Sequence, residues 1–218
     1  MRIADGSTSC RAALRLGLAA ALCLAMAGPL VAQDRAGLTL GASLSALYGD
    51  DVVARGDSRW GFYGGAYGET QVADFIALSL GVNYEQKGGE GLLGTALLES
   101  ERLELDVNYV ELPFLIELTL PLGRPWELIA YGGIAAAFNV SCKAALAGGE
   151  KQSCKDTPLG GPKMEWGLPA GGGLSYTLDD GEMIVFEARY TWGLNEVVSD
   201  ADVRTRAWYF LIRLVKPT

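Results

Sequence analysis

The stretch FIALSLGVNYEQ, residues 75–86, alternates between two kinds of side chain without a break. Ile76, Leu78, Leu80, Val82 and Tyr84 share one parity, and Ala77, Ser79, Gly81, Asn83 and Glu85 share the other. Successive side chains of an extended chain point to opposite faces, so this period of two reads as a β-strand with one apolar face. A helix would repeat near every third or fourth residue, and nothing here does.

Working outward, residues 105–119 set Val110, Leu112, Phe114, Ile116 and Leu118 against Tyr109, Glu111, Pro113, Leu115 and Glu117. Residues 183–193 and 204–215 repeat the pattern, the second with Trp208, Phe210, Ile212 and Leu214 opposite Tyr209, Leu211 and Arg213. Four more segments, 37–47, 60–70, 126–139 and 163–178, alternate less cleanly because glycine interrupts them. In 163–178 one face carries Gly167, Pro169, Gly171, Gly173 and Ser175, small residues suited to a crowded interior. The expected count is eight strands. Three expected connections are tight (Gln71–Asp74, Leu120–Pro125, Asp179–Glu182), and four are long (48–59, 87–104, 140–162, 194–203). They alternate strictly along the chain. An eight-stranded antiparallel up-and-down barrel then carries every long loop at one end, with the turns and both termini at the other. Transmembrane barrels show that asymmetry.

A soluble barrel would also alternate, with its apolar face turned in around a ligand. Three features favour the opposite arrangement. Tilted strands of about ten residues span a hydrocarbon layer. Tyr84, Trp126, Trp166, Tyr176, Trp192 and Trp208 gather near the ends of apolar faces, as an interfacial girdle does. The polar faces carry Asn83, Glu85, Glu111, Glu117, Glu187, Arg189 and Arg213, charges of both signs that can pair in a narrow lumen. Glu111, Glu117, Glu187, Arg189 and Arg213 are the expected lumen charge network. Eight strands leave a lumen that side chains can fill, although a small-solute pore is a further alternative.

Of the 218 residues half are hydrophobic, a fifth are charged and none is histidine, which excludes catalytic triads and zinc sites built on that side chain. The formal charge of −8 argues against a nucleic-acid partner. Arg2, Arg11 and Arg15 precede the apolar run 16–27, and Gly28 and Pro29 end it, so residues 1–33 read as a secretory signal peptide and 34–218 as one domain. Its removal leaves 15 basic and 25 acidic residues, and of four cysteines only Cys142 and Cys154. Two cysteines in an exported chain favour a disulfide between them, in the third outer loop. No glycine-rich stretch has phosphate-loop spacing, and Asp50-Asp51 and Asp179-Asp180 read as solvated loop charge. No cofactor, metal or enzymatic activity is expected.

Four motifs carry a resemblance. They are GFYGGAYGETQVADFIALSLGVNYEQKGG at 61–89, YVELPFLIEL at 109–118, IAYGGIAAAF at 129–138 and FEARYTWGLNEV at 186–197. In that order they are similar to the PorT-like outer-membrane β-barrel family. The resemblance implies a barrel in the outer membrane of a Gram-negative-type cell, in a structural or interaction role that in some members is accessory to secretion. The implied partners are outer-membrane lipid, unidentified surface or secretion proteins, and the barrel-assembly machinery, reading Trp208, Tyr209 and Phe210 because the chain ends in Lys216-Pro217-Thr218. The expected state is a monomer.

Overall fold

Eight long strands form the wall: β1 (Arg35–Tyr48), β2 (Val52–Ala73), β3 (Ile76–Thr95), β4 (Leu98–Gly123), β5 (Trp126–Leu146), β7 (Met164–Thr177), β8 (Met183–Gly193) and β9 (Arg204–Pro217). A ninth, β6, is only Gln152–Ser153 and pairs with β5. This computed structural model describes residues 35–95, 98–146, 148–156, 163–198 and 202–218. The expected signal segment 1–33 lies outside them.

Each long strand pairs antiparallel with its sequence neighbours, and β9 returns to β1 from Arg35 opposite Pro217 to Tyr48 opposite Arg204. The wall is therefore a closed antiparallel barrel. Closure pairs the backbone groups around the wall, which a hydrocarbon surround demands. Leu38, Leu40, Phe114, Ile116, Phe186, Phe210 and Ile212 point outward and are each about half exposed. A soluble ligand-binding barrel would turn this face inward, so that alternative is set aside.

Three of the expected long loops need correction. Most of 48–59 belongs to β2, which starts at Val52. Most of 87–104 belongs to β3 and β4, and β5 continues into 140–162 as far as Leu146, with β6 beyond it. These stretches do not look like continuations of their strands, because the polarity of the two faces is exchanged. On β4, Leu103, Leu105, Val107 and Tyr109 point inward, and further along the same face come Glu111 and Glu117. The outward face runs Arg102, Glu104, Asp106 and Asn108, then Val110, Leu112, Phe114 and Ile116. β3 changes likewise from Leu80, Val82 and Tyr84 to Gln86 and Glu90. The pleat keeps its phase through the change. What differs is the medium outside the wall.

Beyond that line the inward residues of the long strands meet Leu47, Cys154, Val197, Val198 and Val203 in a buried apolar cap. The wall bends inward to reach it. Gly88 and Gly89 have φ of +147° and +155°, a region that side chains disfavour. A Cβ on Gly89 would lie 3.3 Å from the Ala46 Cα. This close approach lets the Ser45 hydroxyl donate to the Gly88 carbonyl at 2.8 Å and accept from its N–H at 2.9 Å. β2, which lies between these strands in the sheet, carries register shifts on both sides of Ser58.

Candidate functional site

The lumen is the most heavily built part of the molecule. Nearest the turn end, Arg213 on β9 forks onto Glu117 of β4, with Nη1 and Nη2 each 3.0 Å from a carboxylate oxygen. Its Nε lies 2.8 Å from Glu187 on β8, and its guanidinium is 5.0 Å from the centre of the Tyr67 ring. One layer up, Arg189 donates to the Tyr63 hydroxyl at 2.7 Å and to the Tyr131 hydroxyl at 3.2 Å. Tyr63 donates in turn to Glu111 at 3.1 Å, and Glu111 and Glu187 each stand 3.6 Å from Arg189. A third layer centres on Lys87, 2.9 Å from Glu85 and 3.3 Å from Glu165. Tyr209 donates to Glu85 at 2.7 Å, and Thr205 donates to Glu165 at 2.6 Å.

All of these charges are buried. A buried ion whose partner is removed costs several kcal/mol, so each layer holds only as a set. Tyr131 on β5 leans over the adjacent β7, where its register partner is Gly171. A Cβ on Gly171 would sit 2.8 Å from the Tyr131 hydroxyl, so glycine at that position makes room for the ring.

The structure brings Glu111, Glu117, Glu187, Arg189 and Arg213 into two linked layers. Of the third layer Glu85 was expected on the lumen face, and Lys87 and Glu165 were not. Lys87 lies beyond the end expected for its strand, and Glu165 occupies a face read as merely small. The signal was present: Lys87 continues the parity of Asn83 and Glu85, and Glu165 stands two residues before Gly167.

Little open space remains beside these layers. A cavity lined by Tyr67, Glu117, Ile129, Val185 and Arg213 measures about 10 Å³, no more than a single water needs. A recess of about 320 Å³ opens at the turn end, lined in part by Arg35, Arg124, Pro125, Trp126 and Met183. At the loop end the apolar cap covers the Lys87 layer. Cys142 on β5 and Cys154 in the short 3-10 turn Cys154–Asp156 are disulfide-bonded with Cα atoms 5.4 Å apart, which ties that turn to β5 and onto the cap.

The six expected girdle aromatics all point outward. Trp126 and Tyr176 stack edge to face at 4.9 Å beside the turns. Trp166, Trp192 and Trp208 lie toward the loop end, where Tyr190 bridges Trp192 at 4.5 Å and Trp208 at 4.9 Å. Tyr84 closes the unbroken outward apolar run of β3, with Gln86 following it.

A closed barrel with an apolar exterior, a charged lumen and two aromatic rims matches what the sequence is similar to. Residues 31–199 match the outer membrane protein beta-barrel domain family. The chain belongs to that family. It is an outer-membrane β-barrel, located in the cell outer membrane. No curated protein matches the sequence. Among solved structures, the barrel is similar to Neisserial surface protein A at 13% identity, covering 82% of this chain and 96% of that one with a TM-score of 0.48. It is also similar to Ail of Yersinia pestis (13% identity, 84% and 99% covered, TM-score 0.44) and to OprG of Pseudomonas aeruginosa (11%, 87% and 99%, 0.47).

Proposed function

We propose that this outer-membrane barrel is a non-conducting scaffold that presents its outer sheet and loops to other molecules, without a catalytic step. The observation that carries the reading is the filled lumen. Three layers of interlocked charge and an apolar cap stand one above another, and a permeating solute would have to break all of them. Leaving even one of these ions unpartnered costs several kcal/mol.

The role is structural or interactive. The PorT-like resemblance of Gly61–Gly89 and the three later motifs extends it to an accessory part in protein secretion. The wall built from β2 to β5 stands beyond the apolar belt as a sheet with a water-facing side, and it is the natural contact surface.

Planar-bilayer recording tests the reading. The purified barrel is expected to give no conductance steps, and stable unitary steps would overturn it in favour of a small-solute pore. Crosslinking in the native membrane through residues on the outer face of β4, such as Glu104, tests the interaction role. It should recover a defined partner, and recovery of lipid alone would count against a protein-binding role.

A further inference from the structure

The charges at the loop end divide into two groups. On the tall wall several pair with one another, while Lys143, Lys155 and Lys163 are exposed to solvent. Arg102 pairs with Glu90, Arg59 lies 2.8 Å from Asp106, and Lys151 lies within ion-pair distance of Glu104 and Asp106. On the low wall, where β8, β9 and β1 end close to the apolar belt, Arg204 pairs with Asp202 at 3.0 Å. Arg206 differs. It is half-buried on the outward face of β9, directly beyond Trp208, Phe210, Ile212 and Leu214. Among the described residues no carboxylate stands within ion-pair distance of it.

What surrounds Arg206 is aromatic. Its guanidinium lies 5.8 Å from the centre of the Tyr48 ring. Tyr48 is held across the outside of β9 by donating its hydroxyl to the Gly193 carbonyl of β8 at 2.5 Å. Trp192 is the β8 residue directly opposite Arg206, and it stacks through Tyr190 onto Trp208. The result is a fixed cation, framed by rings, at the depth where the exterior changes from hydrocarbon to headgroup. A guanidinium offers planar paired donors that suit phosphate oxygens, and interfacial aromatic rings lie alongside lipid headgroups.

We propose that Arg206, with Tyr48 and Trp192, binds the phosphate of a phosphorylated lipid headgroup in the outer leaflet. The lipid supplies the anion that the described chain does not. Its acyl chains run down the face of Trp208, Phe210 and Ile212, so the site recognises a phosphate and an apolar tail together. Free phosphate, lacking the tail, is a poor ligand.

The test is a titration of the detergent-solubilised full barrel, followed by tryptophan fluorescence, with three probes: lipid A carrying its phosphates, the same lipid with the phosphates removed, and inorganic phosphate. Phosphorylated lipid should bind the wild type at least about tenfold more tightly than Arg206→Gln, the scale of one charge-assisted hydrogen bond. Arg206→Lys should recover part of the difference, and inorganic phosphate should not compete in the same range. A heat-shifted gel band confirms that each variant is folded. Equal affinity of wild type and Arg206→Gln, or of the two lipids, overturns the proposal. Displacement of the lipid by inorganic phosphate overturns the lipid as the source of the anion.

Discussion

Two parts of one sheet are built from the same strands and obey opposite rules. Below the level of Tyr84 and Val110 the wall is apolar outside and charged within. Above it, past the buried Lys87, the wall is charged outside and apolar within. Glu111 and Glu104 lie on a single strand with opposite parity: the first is buried beside Arg189 and Tyr63, and the second faces water beside Lys151. The backbone is indifferent to this change. In lipid, burying one more methyl in the lumen gains little over leaving it against acyl chains, so paired charge and hydrogen bonds specify the interior. In water, burial of apolar surface again stabilises, and the cap is built from Leu103, Leu105, Val107 and their neighbours. The membrane part should therefore fail when a charge is removed, and the cap when apolar volume or its crosslink is removed.

The largest expected effect is at Arg213. Arg213→Ala leaves Glu117 without its fork and Glu187 without its nearest cation. The expected loss is about 3–5 kcal/mol, seen as a lower temperature for conversion of the compact gel band to the unfolded one. The paired change Arg213→Met with Glu117→Met should be milder than the single change, because it removes both charges and keeps volume. An equal or greater loss in the pair would show that lumen packing, not charge pairing, holds this layer.

The boundary itself can be tested along one face of β4. Ile116→Lys puts an ammonium into the middle of the apolar belt, at an expected cost of about 2–4 kcal/mol. Glu104→Lys puts the same side chain on the same face beyond the belt, where only exposed pairing is lost. Folding yield into lipid vesicles should fall for the first and stay near wild type for the second. Similar yields for both would remove the line drawn at Asn108 and Val110.

How much of this could be read from the chain follows from the same boundary. Alternation at 75–86 and 109–118 gave the strands and their faces, because one medium covers each stretch from end to end. The lumen members Glu111, Glu117, Glu187, Arg189 and Arg213 were legible for that reason. The start of β4 and the end of β5 were not, because the apolar parity changes there and a changed parity looks like a loop; Lys87 keeps the inward parity but lies just past Tyr84, where the outward apolar run stops. In LELDVNYVELPF the apolar residues are Leu103, Leu105, Val107 and Tyr109, then Val110, Leu112 and Phe114. Two apolar residues side by side mark the crossing. Cross-barrel pairs such as Arg189 with Tyr63 leave no local trace, since they depend on which strands closure brings face to face.

Cys142→Ser and Cys154→Ser test whether the cap is a separate unit. The bond closes a short loop, and its loss is expected to release about 3 kcal/mol of constraint on the unfolded chain in the entropy model. Cleavage by added protease within 147–163 should rise sharply, while the temperature of the gel-band conversion barely moves. If both change together, cap and membrane segment unfold as one cooperative body, and the contrast between them is one of composition only.

The smallest effect belongs to Lys151, which joins the cap loop to the outer face of β4. Its ammonium is 2.5 Å from Glu104 and 2.9 Å from Asp106, and hydrogen bonding to those carboxylates raises its pKa. The side chain is 40% exposed, so solvent and salt screen the pair, and Lys151→Ala should cost under about 1 kcal/mol. The sign of its pH dependence follows from the raised value. The contribution is complete below the pKa of a free lysine and disappears as pH climbs through the higher folded value. Protease sensitivity of the loop should thus exceed wild type slightly at neutral pH and low salt, and the two proteins should converge in strong alkali. A difference that persists there would mean that Lys151 acts through the packing of its methylene stem on β4 and not through its charge.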